Sequence, residues 1–131
     1  HNQYNSSCPK IASIVEIYTD NVSKTIKIID ELKVLAMQVS AMRTLSLDKE
    51  SLEKKILDDE TDIILKQIEN TPENKKEQIL YGKLNKFIKE NTLMGQALIT
   101  DPKKNVSDYL SELSRNSNLD LNIVSMDLYN I

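Results

Sequence analysis

The chain has 131 residues, 40% of them apolar and 28% charged, with both signs interleaved and a formal net charge of −3. That length can bury one core without disulfides or metals, the balance excludes a disordered segment and a polycation for general nucleic-acid binding, and a single cysteine excludes a bridged miniprotein. Two glycines and three prolines are few turn formers for a strand-rich fold, so composition reads as all-α.

His1 to Pro9 carries Asn2, Gln3, Asn5, Ser6 and Ser7 with no period to bury. It reads as a flexible polar arm, residues 1–9, ahead of a single helical-bundle domain, residues 10–131. A chain opening on His1 fits a processed product, an excised fragment or a tag remnant. Cys8, the one cysteine, has no internal disulfide partner and reads as an inert thiol in that arm.

From about residue 10 to about residue 45 the spacing predicts one long first helix. Ile11, Val15, Tyr18, Val22, Ile26, Ile29, Leu32, Ala36 and Val39 recur at steps of three and four, one side of a helix. A second row, Ile14, Ile28, Leu35 and Met42, widens that side beyond what two neighbouring helices cover, and these four are the candidate partner interface. Such a helix is roughly 50 Å long at 1.5 Å per residue, which predicts a rod or a kink.

Leu45-Ser46-Leu47-Asp48 breaks the period, with Ser46 or Asp48 placed to cap a second helix running to about Ile68. Thr71-Pro72-Glu73 is the clearest boundary: Thr71 can cap, Pro72 suits the first helical position and Glu73 complements the dipole. A third helix is expected from there to Asp101-Pro102, with Leu80, Leu84, Phe87, Met94 and Leu98 at coiled-coil-like spacing. Gly82 and Gly95 interrupt it, which points to close backbone packing or a bend.

Val106, Tyr109, Leu110 and Leu113 support a short fourth helix capped by Ser107 or Asn105. From Leu119 the tail is ambiguous: Leu119, Leu121 and Ile123 alternate like a strand, while Leu121, Val124, Leu128 and Ile131 fit a helix. Helix is favoured, because a lone strand would need a partner edge from elsewhere. The expected fold is an elongated three- to four-helix bundle.

Side chains for catalysis are scarce. The one histidine is terminal and the one cysteine lies beside Pro9, so no nucleophile and base pair assembles and no histidine- or cysteine-based metal site exists in the sequence. Asp58 and Asp62 share a helix face and read as solvated. Asp58, Glu60, Asp62 and Glu69 have the spacing of a calcium loop, but Ile63 stands where its sharp turn needs glycine. No phosphate-cradling glycine motif occurs, and no cofactor is expected. Lys75, Lys76, Lys83, Lys86 and Lys89 give the third helix a basic side, diluted by Glu73, Glu77 and Glu90. With no Trp and one Phe, neither a base-stacking platform nor a membrane belt is supplied. Met37, Met42 and Met94 read as core. Asn5, Asn21 and Asn105 open Asn-x-Ser sequons, which chance also produces in a chain this rich in Asn and Ser.

These readings converge on a non-enzymatic interaction or assembly module, binding a partner protein or copies of itself, as in bacterial secretion or surface systems. An extracytoplasmic ligand-sensing bundle of a membrane receptor is the alternative. Placement outside the cytoplasm, periplasmic or secreted, is favoured, with neither nucleic acid nor membrane as a partner.

Overall fold

The computed structural model describes residues 10–130. The expected polar arm, with Cys8 and the Asn5 sequon, lies outside the described residues.

Residues 11–19 form a strand, not the first turns of a helix. β1 (Ile11–Thr19) alternates by burial: Ser13, Val15 and Ile17 turn inward while Ile14, Glu16 and Tyr18 face out. The segment is rich in β-branched residues, and in a short window the three-and-four ladder and the two-residue alternation share many positions. A brief helix, α1 (Val22–Ile26), then turns the chain into α2 (Ile29–Met42). Strand and helix fold back on each other: Ser13 Oγ donates to the Ala36 carbonyl at 2.6 Å, and Ser40 Oγ to Ser13 Oγ at 2.7 Å. The predicted rod is therefore a β-α hairpin.

α2 buries Leu32, Leu35, Gln38 and Val39 and ends on Arg43, whose φ of 48° is left-handed. Residues 44–47 then run beside 91–94, joined by Leu45 N–H to the Asn91 carbonyl at 3.0 Å and Leu93 N–H to the Ser46 carbonyl at 2.9 Å. Between these two segments stands a helical hairpin, α3 (Lys54–Gln67) and α4 (Glu73–Asn91). α4 begins at the boundary predicted from Pro72, although no side chain caps it. It stops ten residues short of the expected end, where Asn91 Nδ2 and Thr92 Oγ1 donate back to the Phe87 and Ile88 carbonyls at 2.9 and 2.8 Å.

β2 (Ala97–Leu98) and β3 (Asp101–Asn105) form a small antiparallel pair across residues read as helix end and linker. α5 (Val106–Ser117) follows directly, capped by Asn105 as expected. Tyr109 on α5 donates its hydroxyl to the Glu31 carbonyl at 2.7 Å, and partial burial, then the nearby Glu31 charge, raises its pKa above 10.0. The tail is β4 (Leu121–Asn130), antiparallel to β1, with Ile11 opposite Asn130 and Thr19 opposite Leu121. A bulge between Glu16 and Ile17 lets Val124 stand unpaired.

The all-α, coiled-coil-like bundle is thus corrected to a mixed α/β fold with two small sheets. One cause underlies both misread ends: β4 needed a partner edge, and that edge lay in the segment taken for helix. The core gathers Leu32, Leu35 and Val39 of α2, Leu93, Leu98, Val106 and Leu110, and Leu119 and Leu121 at the start of β4.

Candidate partner-docking surface

The four residues of the second apolar row do not meet. Ile14 lies on the outer face of the β1–β4 sheet at 57% exposure, whereas Leu35 is fully buried. Ile28 is half-buried against the core. Met42 is exposed at the end of α2, over a cleft it shares with Lys86, Lys89 and Ala97.

Other exposed apolar side chains include Val22, Ile26 and Ile29 of the ladder's front row, read from sequence as core. α1 buries none of its residues, yet it is well held. Asn21 Oδ1 accepts from Lys24 N–H at 3.0 Å, and Thr25 Oγ1 sits 2.5 Å from Thr19 Oγ1. Val22 and Ile26, four apart and so on one face, are 66% and 62% exposed. Ile29, at the start of α2, is exposed, and Met37, two turns further and about 12 Å along the axis, is exposed as well.

Beside Met37 the surface becomes concave. A groove of about 460 Å³ is lined by Ser13, Ala36, Met37, Ser40, Ala41 and Ile99. The small residues of α2 form its floor. β1 bounds it through Ser13, and the β2–β3 turn bounds it through Ile99. Sequence reasoning missed this surface because an apolar ladder shows which residues share a helix face, not whether anything covers that face.

On α3 the charges are solvated. Asp58 pairs with Lys54 at 2.9 Å and Asp59 with Lys55 at 3.5 Å, all on exposed side chains. Hydrogen bonding to Asp58 raises the pKa of Lys54, and Lys104 is raised in the same way by Glu112 across β3 and α5. Residues 58–67 are α-helix, so the calcium-like spacing carries no loop. Among the described residues no cluster of three or more His, Cys, Asp or Glu is placed to hold a metal ion, and no helix is long and apolar enough to cross a membrane.

The whole chain, residues 1–131, matches the family model described as elongation factor TS. Curated relatives agree, each bearing the name elongation factor Ts. That of Nitratiruptor sp. is 35% identical over 108 residues, covering 81% of this chain and 35% of that protein. Those of Syntrophobacter fumaroxidans and Maridesulfovibrio salexigens are 33% and 37% identical, covering 80% and 83% of this chain and 54% and 55% of theirs. The chain therefore spans between about a third and just over half of the length of these relatives. A translation factor family overturns the secretion-system, surface-system and receptor readings, and with them the periplasmic or secreted placement. These matches lead to one conclusion: the chain belongs to the elongation factor Ts family.

Proposed function

We propose that this chain binds EF-Tu in the cytoplasm and speeds release of its guanine nucleotide, performing no bond chemistry of its own. The family match over the full chain carries the reading. On this reading the protein partner expected from sequence is one GTP-binding protein.

The physical task of an exchange factor is differential binding. A protein that holds the nucleotide-free partner more tightly than the nucleotide-bound form weakens nucleotide binding by the same factor. Such a factor needs a surface, not an active site. Val22, Ile26, Ile29 and Met37 supply apolar area that is exposed among the described residues. Each such side chain, fully buried against a partner, contributes about 1.5–3 kcal/mol before the costs of association.

Release of a fluorescent GDP analogue from EF-Tu, followed by stopped flow, tests the reading. The chain is expected to accelerate release with saturation. Val22→Ser combined with Ile26→Ser should raise the half-saturating concentration about tenfold or more, with unchanged thermal melting by circular dichroism. No acceleration at any concentration would refute the proposal, and full activity of the double variant would remove α1 from the docking surface.

A further inference from the structure

The helical hairpin stands apart from the core that the rest of the chain builds. α3 packs against α4, and no packing of comparable extent joins either helix to another element. Leu52, Ile64 and Ile68 are buried but fall outside the core cluster, and α4 buries none of its residues. Between the two helices lies an open crevice of about 190 Å³ lined by Glu60, Ile64, Gln67, Lys83 and Phe87, so polar groups enter the seam. Helices in water draw most of their stability from the packing of one face, and here that face is thin.

The base of the hairpin is built differently. Residues 44–47 and 91–94 are joined through the backbone, the pairing continuing to Met94 N–H and the Leu47 carbonyl at 3.0 Å. Gln96, 1% exposed, fastens three segments with one amide. Its Oε1 accepts from Thr44 Oγ1 and from Gln38 Nε2, each at 3.1 Å, and its Nε2 donates to the Glu90 carbonyl at 3.0 Å. Gln38, fully buried on α2, also donates to the Ala97 carbonyl and accepts from Ile99 N–H, both at 2.9 Å. The last turn of α4 is thereby tied to α2, and the tie uses nothing from α3 or from the earlier turns of α4.

We infer that residues 54–86 form an arm that opens as its own cooperative unit while the base and the core stay folded. Stability is distributed over such units, and one with few buried apolar contacts opens at the lower free energy. Seam and core share no buried side chain, so a substitution in one leaves the other unaltered. The arm is a conformational device: its order is gained or lost without disturbing α1 and α2.

Amide hydrogen exchange of the whole chain, followed by mass spectrometry at rising urea, tests this without EF-Tu. Residues 54–67 and 73–86 should lose protection together, at less urea than residues 29–42 and 106–117. Ile64→Ala, which empties the seam, should speed exchange in the arm about thirtyfold or more, with α2 and α5 as in the wild type. Gly82→Ala, which places a methyl group in open space, should slow exchange in the arm about fivefold and again leave α2 and α5 unchanged. One shared urea midpoint, or either variant shifting α2 and α5 by the same factor as the arm, would overturn the inference. So would an Ile64→Ala chain in which α2 exchanges as an unfolded segment.

Discussion

Asn21 and Asn105 perform the same task at two places in the fold. Each begins an Asn-Val-Ser triplet, each has extended backbone, and each accepts a hydrogen bond from the N–H three residues on, at 3.0 and 2.7 Å. What resembles a glycan acceptor is here a helix N-cap. Cap and sequon both begin on a short amide side chain, which is why one residue type fits both patterns. Asn105→Ala should cost about 1 kcal/mol, measured by urea unfolding, whereas Asn105→Asp should keep most of the stability. The Asn105 cap was legible in the sequence; the role of Gln38 was not. A lone Gln within Leu35-Ala36-Met37-Gln38-Val39 interrupts an apolar run, but its partners lie 58 to 61 residues away, beyond any local pattern.

At the scale of elements, the two glycines separate what one sequence argument had joined. Gly82 sits within α4 with nothing within 4 Å of an added Cβ. Gly95 lies beyond the helix, and a Cβ there would meet Thr92 Oγ1 at 3.0 Å and the Lys89 backbone at 3.2 Å. Gly82→Ala should therefore stabilise the protein by about 0.5–1 kcal/mol. Gly95→Ala should destabilise it, because the α4 backbone cannot yield as a flexible side chain would. Paired thermal melts of the two variants check both signs. The same contrast explains which elements were readable. α4 and α5 announce their starts through Pro72 and Asn105, local features that no tertiary contact needs to decide. β1 carries an apolar pattern that serves strand or helix, and only β4 across from it settles the choice.

Across the whole molecule, α2 is the element that every other layer uses. Its buried side joins β1, α5 and the residues after α4 in one core, while its opposite side forms the floor of the groove. Leu35, fully buried at the centre of that core, should lose about 2–5 kcal/mol as Leu35→Ala, seen as a lower denaturation midpoint. The folded fraction of that variant should still half-saturate nucleotide exchange at the wild-type concentration. A shift in that concentration would show that the core and the docking surface are not separable.

By itself the sequence determined the helices after Pro72 and Asn105, an apolar ladder whose α2 part supplies Leu32, Leu35 and Val39 to the core, and a census of one histidine and one cysteine. These follow from local propensity, capping and census, which need no knowledge of distant neighbours. Tertiary structure decided the rest. The pairing of residues 11–19 with 121–130 turned two apparent helices into a sheet, and among the described residues Val22, Ile26 and Ile29 of the ladder stay exposed. Hydrophobicity states that a residue can be buried; only the packing of elements far apart in sequence decides whether it is buried inside the fold or left for a partner.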